Sequence, residues 1–368
     1  MSILVKTWKN PARCIDYNTQ QWQLLIHQSR ASYMLPRMAN KLITYYQNGK
    51  IEDRIWHHFS SALLVAKRQV ENTSMELNKI EVFFEQKEHQ AVILKGAAYS
   101  ATNLSASIGR TFNDIDILVD KSSVDVIESE LWFLGFMPMK EDDYDKLYYR
   151  QWMHEIPPLQ HIKRKTVLDV HHNILPLTSA TTVNVEKLTE HSTLIPGYKK
   201  LSILSPQALI LHSATHLFHE GEFDKGIRDL IDLELLFQQY FQEKYTFDDL
   251  VTLALATGLE RELYYAIRYV HNVLTLELTE DELRRVDKFS PKKLNLAFLD
   301  FCFLTIFTPN HSSCLTWKKS LATNLLYWRG HLLRMPLKLL IPHLFKKSYM
   351  QIRDSLKRPK PIEETFNG

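Results

Sequence analysis

Apolar residues recur every three to four positions through most of the N-terminal quarter of the chain, as they do on one face of an α-helix. Ile55 and Phe59 show this spacing within a long run. The pattern predicts helices over residues 18–50 and 53–89. We therefore expect residues 1–90 to form a helical layer.

Short apolar runs replace the helical period after this layer. Runs of this length, rich in aliphatic and aromatic residues, are typical of strands. The predicted strands are Ala91–Leu94, Asn113–Val119, Leu147–Met153 and Thr166–Val170. An amphipathic helix over residues 122–134 falls between them. Interleaved strands and a helix predict an α/β core over residues 91–200.

The helical period returns at Ser205, which Pro206 follows as at the start of many helices. It continues almost to the end of the chain, where Pro336 and Pro342 are expected to break it. Residues 201–368 are therefore predicted to form a helical C-terminal domain. The chain as a whole is predicted to be an α+β protein, in which N-terminal helices and this domain flank a mixed-sheet core.

Composition sets the broad class of the protein. The chain has 368 residues, of which 45% are hydrophobic and 24% charged, as in ordinary globular proteins. Its three cysteines show no paired spacing, so neither a disulfide framework nor a cysteine zinc site is expected. We find no apolar leader and no uncharged apolar stretch of about 18 residues, and we therefore expect a cytoplasmic protein without membrane spans.

Charge is distributed unevenly along the chain. Residues 317–368 hold 11 lysines and arginines against 3 acidic residues, whereas the other 316 residues hold 34 against 39. This basic tail suits an anionic partner, which could be a membrane surface, a phosphorylated substrate or a nucleic acid, although a nucleic acid is the least expected of the three. The alternative is that its leucines pack on the helical domain. We favour packing, because Pro336 and Pro342 interrupt a continuous interfacial face.

Asp114 and Asp116 form an unusual feature of one predicted strand, because both lie among isoleucines and leucines. Alternate residues of a strand share a face, so the two aspartates lie on one side, with Cα atoms about 6.6 Å apart. Buried carboxylates need compensating charge, and Mg²⁺ prefers oxygen ligands of this kind. Asp169, also among apolar residues on another predicted strand, would complete a three-carboxylate cation site. The alternative is a strand end with solvated aspartates.

Lys95 and Gly96 lie where the first predicted strand ends and a helix begins. Glycine lets a ligand approach the backbone closely, and a helix N-terminus favours phosphate. Arg110 adds a second cation shortly before the acidic strand. These three residues are therefore predicted to bind the phosphates of a polyphosphate ligand.

These motifs, in this order, resemble the polymerase-β-type nucleotidyltransferase superfamily. The stretches "AVILKG", "R-x3-DIDILV", "LDVHH" and "HSATH…IRDLIDLELLF" resemble more narrowly its largely uncharacterised nucleotidyltransferase family, over roughly residues 20–240. The resemblance implies a nucleotidyltransferase-like mixed sheet and transfer of a nucleotidyl or other nucleotide-activated group to a hydroxyl or phosphate. It also implies a nucleoside triphosphate or nucleotide-activated donor and a small-molecule, sugar or peptide acceptor, in the tailoring of a peptide natural product or a polysaccharide.

The resemblance gives each of these residues a role. Asp114 and Asp116 would hold Mg²⁺, with two ions expected, and Asp169 would ligate the second ion and help deprotonate the acceptor. The lysine-glycine pair and Arg110 would bind the donor. Further residues match family positions and are candidates either for the substrate cleft or for a structural network: His171, His212, His216, Asp229 and Asp232.

Two other functions stay as alternatives. Ala97 stands where the superfamily usually has serine after the glycine, and this favours a non-catalytic nucleotide-binding module. The three carboxylates argue against such a module. The basic tail favours a membrane-peripheral accessory protein.

Overall fold

The computed structural model describes residues 2–139 and 143–357, and in these ranges α-helices surround one mixed β-sheet. The helices are α1 (Ile3–Lys9), α2 (Thr19–Ala31), α3 (Leu35–Gln47), α4 (Asp53–Lys87), α5 (Lys95–Ala101), α6 (Val124–Leu131), α7 (Asp143–Trp152), α8 (Val185–Thr189), α9 (Pro206–His219), α10 (Gly226–Gln242), α11 (Phe247–Thr257), α12 (Glu260–Val273), α13 (Glu280–Asp287), α14 (Lys293–Ile306), α15 (Trp317–Arg334) and α16 (Leu337–Lys357). The strands are β1 (Ala91–Ile93), β2 (Asp114–Leu118), β3 (Phe136–Pro138), β4 (Leu159–His161), β5 (Val167–His171), β6 (Thr193–Leu194) and β7 (Leu201–Ile203).

The sheet has the strand order β3-β4-β5-β2-β1-β7-β6. β2 and β5 run parallel near its centre, and β1 pairs with β2 in antiparallel and with β7 in parallel orientation. These strands form because their inward residues are apolar, and Ile117, Leu168 and Val170 are fully buried. A mixed sheet between two helical regions confirms the predicted fold class, and it sets β2 and β5 side by side.

The N-terminal helical layer differs from the prediction at one point. The helix predicted over residues 18–50 is two helices, α2 and α3, separated at Tyr33, whose φ is +57°. Pro36 lies in the first turn of α3, where its missing N–H is tolerated, whereas it would disrupt the interior of a continuous helix. The helix predicted over residues 53–89 is confirmed by α4, whose buried face includes Phe59.

The strand predicted over Leu147–Met153 is wrong, because residues 147–152 belong to α7. Its aromatic residues favour strands by propensity alone. Their spacing suits a helix instead, since the rings of Tyr148 and Trp152, four residues apart, have centroids 5.8 Å apart. Arg150 of α7 also pairs with Glu128 of α6 at 2.5 Å, which joins the two helices.

The predicted domain boundary at residue 200 falls just before β7, which belongs to the sheet. Glu81 of α4 fixes the start of this strand, because its carboxylate accepts a hydrogen bond from the backbone N–H of Leu201. One continuous cluster of buried apolar residues runs through the helices and the sheet alike. The division into three domains stays a prediction.

The C-terminal helices are more continuous than predicted. Pro336 separates α15 from α16, but Pro342 lies inside α16 and does not end it. Leu340 is buried, as the packing alternative predicts, whereas Leu332 is 46% exposed. Every helix within the described ranges is too short or too polar to cross a lipid bilayer. The end of the basic tail, residues 358–368, lies outside the described residues.

Candidate active site

The register between β2 and β5 sets Asp116 directly beside Asp169. Neighbouring strands lie about 4.8 Å apart, so these two side chains share one face of the sheet at close range. Asp114, two residues earlier on β2, lies on the same face. The structure thus brings together the three carboxylates that the sequence singles out.

Lys95 lies against these carboxylates. Its backbone has φ +48°, in the left-handed region, at the first residue of α5, and its Nζ donates a hydrogen bond of 2.6 Å to Asp116 Oδ1. A left-handed lysine costs on the order of 1 to 3 kcal/mol, and such strain clusters at functional sites. Burial opposes ionisation of Asp116, but Lys95 and His171 outweigh it and hold the pKa of this carboxyl far below its usual range.

Asp169 has the opposite electrostatic surroundings. Burial, followed by the charges of Asp116, Glu155 and Asp114, raises the pKa of its carboxyl to about 7. Its Oδ1 is buried and has no hydrogen-bond partner among the described residues. A bound divalent cation would satisfy this oxygen, and carboxylates are the ligands that Mg²⁺ prefers. The residues present therefore fit a magnesium site held by Asp114, Asp116 and Asp169.

A cavity of about 300 Å³ opens beside the carboxylates. The predicted site residues that line it are Lys95, Gly96, Arg110, Asp114, Asp116, His216 and Asp229. Its remaining lining residues are Tyr33, Phe112, Glu220, Glu222, Asp224, Lys225 and Arg228. The other predicted residues do not line this cavity: Asp169, His171, His212 and Asp232. Charges of both signs thus face one space of a size suited to a small ligand.

Asp232 does not line the cavity. It is 1% exposed and forms ion pairs with Arg110 and with Arg37, each at 2.7 Å. Arg37 belongs to α3, so this network joins the N-terminal layer, the loop before β2 and α10. Asp229 does line the cavity, where it pairs with Arg228 at 2.5 Å. Of the two roles considered for these aspartates, the structural network fits Asp232 better and the cleft wall fits Asp229.

Gly96 allows Arg110 to lie close to the backbone of α5. A Cβ atom at this glycine would clash with the Arg110 guanidinium and with the Phe112 ring. Burial opposes the charge on Arg110, but Asp232 and Asp229 outweigh it and raise the pKa of the guanidinium. Arg110 therefore stays charged at the cavity floor.

The three predicted histidines differ in their surroundings. His171 is 4% exposed and lies between two carboxylates, with its Nε2 3.1 Å from Asp116 and its Nδ1 3.2 Å from Glu155. His212 is buried, and burial lowers its pKa to about 3, so its imidazole is neutral near pH 7. His216 is part-exposed in the cavity wall. Of these three, only His216 reaches the cavity surface.

Sequence reasoning missed three residues next to the site. Tyr33 lines the cavity, because α2 and α3 separate there. His154 and Glu155 follow α7 and reach His171, and the ring centroids of His154 and His171 lie 5.3 Å apart. The imidazole and carboxylate in "MHEIPP" could have indicated them, but this segment follows the wrongly predicted strand.

Three comparisons relate this chain to known proteins. A model of the family described as uncharacterised nucleotidyltransferase matches residues 18–275. No curated protein matches the chain. Among solved structures, the solution structure of the antibiotic-resistance factor ANT(2'')-Ia is similar at 16% sequence identity and a TM-score of 0.34, and the match covers 55% of this chain and 98% of that one. The family match spans most of the chain, including the whole sheet and α10, and the chain therefore belongs to the uncharacterised nucleotidyltransferase family.

Proposed function

We propose that this protein is a Mg²⁺-dependent transferase that moves a nucleotidyl or other nucleotide-activated group onto a hydroxyl or phosphate acceptor. The observation that carries the proposal is the side-by-side placement of Asp116 and Asp169 on β2 and β5, with one Asp169 oxygen unpartnered among the described residues. Lys95 gives the adjoining cavity a cation for donor phosphates. Membership of the family supports the reaction class.

Transfer requires that an acceptor oxygen attacks the α-phosphorus of the donor while the bond to the pyrophosphate leaving group breaks. Lys95 and Arg110 would hold the donor phosphates in the cavity, which fixes the direction of attack. Asp169 would accept the proton when the acceptor is a hydroxyl. Mg²⁺, proposed as two ions held by Asp114, Asp116 and Asp169, would supply positive charge opposite the phosphate oxygens.

The cavity favours a small-molecule, sugar or short peptide acceptor over a nucleic acid. Its volume of about 300 Å³ lies at the small end of the range for ligand pockets. The tailoring of a peptide natural product or a polysaccharide is the setting that we propose, and it rests on the resemblance of the motifs alone.

Turnover is the direct test of this function. The full-length protein is incubated with each nucleoside triphosphate, MgCl₂ and panels of sugar, peptide and small-molecule acceptors, and products are identified by mass spectrometry. We expect a Mg²⁺-dependent mass increase on one acceptor class, with pyrophosphate released, and no product from Asp116→Asn. Nucleotide binding without any product would support a non-catalytic binding module instead, and the absence of both would contradict a nucleotide-dependent function.

Replacing Lys95 with Met is expected to weaken donor binding about 10- to 150-fold, since a charge-assisted contact is worth roughly 1.5–3 kcal/mol. Lys121→Met is the matched control, because Lys121 is exposed and lies beyond the other end of β2. The Kd is measured by isothermal titration with a non-hydrolysable triphosphate and Mg²⁺. Equal effects of the two substitutions would contradict a phosphate-binding role for Lys95.

A second candidate function, attachment to an anionic membrane surface, is favoured by the exposed faces of α15 and α16. Large apolar side chains recur there at helical spacing on the solvent side. They are Trp317, Leu321, Trp328 and Leu332 on α15, and Leu337, Ile341, Phe345 and Tyr349 on α16. The exposed lysines Lys318 and Lys338 flank them. Exposed aromatic and basic residues on a helix face are typical of segments that lie in a membrane interface. We propose that the exposed faces of these two helices bind anionic lipid.

Flotation with vesicles that contain phosphatidylglycerol tests the membrane proposal. We expect the protein to float with these vesicles at low salt and to be released at high salt, because salt screens the attraction between lysines and lipid. Replacing both Trp328 and Phe345 with Ser is expected to reduce the bound fraction several-fold. Phe133→Ser is the control, since Phe133 is 88% exposed but lies next to α6. Absence of flotation, or self-association through the same surface without vesicles, would overturn the proposal.

A further inference from the structure

His154 and Glu155 lie on the segment that connects α7 to β4, and this segment is fixed against β5. Glu155 forms an antiparallel bridge with His171 of β5. Ile156 donates a backbone hydrogen bond of 3.0 Å to Val170, on the other side of the bridge. His154, Glu155 and His171 therefore meet because of strand pairing and not through flexible side chains alone.

The three side chains present a compact set of metal-ligating atoms. One ligand atom from each of His154, Glu155 and His171 lies within 4.8 Å of the other two. The distance from Glu155 Oε2 to His171 Nδ1 is 3.2 Å. Ligands at 2.0–2.2 Å from a tetrahedral ion lie about 3.3 Å apart. The Glu155–His171 pair already has this spacing, and a ligand atom of His154 lies within 4.8 Å of both.

The hydrogen bonds around His171 favour a cation between it and Glu155. Its Nε2 lies 3.1 Å from Asp116 Oδ1, so the carboxylate accepts the Nε2 proton. The lone pair of a neutral Nδ1 then faces the Glu155 carboxylate, and either a metal cation or a proton between the two atoms removes their repulsion. A carboxylate that holds the far nitrogen of an imidazole is also the usual support for a metal-bound histidine.

His154 gives a second, independent observation. Its Nδ1 is buried and has no hydrogen-bond partner among the described residues. An unsatisfied buried polar atom costs roughly 1–3 kcal/mol, and a bound metal ion would remove this cost. Two imidazoles and one carboxylate suit a Zn²⁺-type ion, whereas Mg²⁺ prefers oxygen ligands.

We propose that His154, Glu155 and His171 form a second metal site, separate from the three-aspartate site, which binds one borderline divalent ion of the Zn²⁺ type. Three protein ligands leave a fourth position open. The ion would fix the segment before β4 to β5 and place a positive charge next to Asp116. The proposal does not depend on the transfer reaction.

Metal titration of the full-length protein tests the second site. Chelator-treated protein is titrated with Zn²⁺ against a chromophoric chelator, in the presence of excess Mg²⁺. We expect one Zn²⁺ per chain, with affinity at least about tenfold weaker in His154→Phe and in Glu155→Gln. His172→Gln, one residue beyond His171 on the opposite strand face, and Asp114→Asn, in the aspartate site, are expected to leave the affinity unchanged.

X-ray absorption of the Zn²⁺-loaded wild-type protein gives a readout that does not depend on any variant folding. Two imidazole nitrogens in the first coordination shell would support the site. An all-oxygen shell, no Zn²⁺ binding, or equal loss in Asp114→Asn and Glu155→Gln would overturn it. In that case a proton on His171, held between Asp116 and Glu155, fills the place that we assign to the metal.

Discussion

Replacing Asp169 with Asn is expected to lower transfer activity at least about a hundredfold and, at the same time, to stabilise the metal-free protein. Activity falls because the variant lacks both a cation ligand and the group that accepts the acceptor's proton. Stability rises because burial and the neighbouring charges of Asp116 and Glu155 disfavour the carboxylate of Asp169. Replacing a purely structural residue would not lower activity while raising stability.

The pH dependence of stability follows from the same carboxyl group. Its pKa in the folded protein, about 7, lies above the ordinary value of an aspartate, so the folded chain holds a proton that the unfolded chain has released. The metal-free wild type should therefore lose about 1–3 kcal/mol of stability as pH rises from about 4 to about 7. Asp169→Asn should not show this component of the loss, and added Mg²⁺ should stabilise the wild type more than the variant.

Denaturant unfolding in EDTA at pH 5 and pH 8 measures this effect. Asp120→Asn is the matched control, because Asp120 follows β2 but is exposed to solvent. The control should have wild-type stability at both pH values. An Asp169→Asn variant that is less stable than the wild type at pH 8 would show that Asp169 is a structural residue and not part of a cation site.

Replacing Asp232 with Asn is expected to destabilise the protein by about 3–5 kcal/mol, since it removes the charge that compensates two buried arginines. The side chains of Arg37 and Arg110 are only 2% and 7% exposed, so water cannot replace the lost partner. Urea unfolding measures the change in the free energy of unfolding.

Asp300→Asn is the control for this prediction. Asp300 pairs with Arg268 at 2.6 Å, but both side chains are about a quarter exposed. Its replacement should cost no more than about 1 kcal/mol, as for other solvated ion pairs. Equal costs for the two substitutions would mean that Arg37 and Arg110 find other partners when Asp232 is lost.

Periodicity predicted the parts of the fold in which many residues repeat one pattern. The long helix α4 was predicted for this reason, and so were β2 and β5, in which buried residues surround the aspartates. β6 and β7, with two and three residues, are too short to show a period. β1 is equally short and was predicted from its continuous apolar run. The helix α7 was mistaken for a strand because its aromatic residues outweighed their spacing.

Some residues of the candidate site could be predicted from the sequence, and others could not. Asp114, Asp116 and Lys95 were predicted because each lies in a short local motif in which a charged side chain stands beside buried apolar residues and needs a compensating partner. The contact of Glu155 with His171 could not be predicted, because it depends on how the segment after α7 returns to β5. The place of Asp232 beneath Arg110 likewise depends on a helix of the N-terminal layer, which local sequence does not reveal.

The strand order of the sheet also has a consequence for synthesis on the ribosome. β1 is translated early, but its parallel neighbour β7 is translated only after β5. Asp232 follows later still, on α10. A nascent chain stopped between Ile203 and Asp232 would carry every strand of the sheet and yet leave Arg37 and Arg110 without their carboxylate. Premature products of this length should therefore be recognised by chaperones and proteases, whereas chains that extend past α10 should escape them.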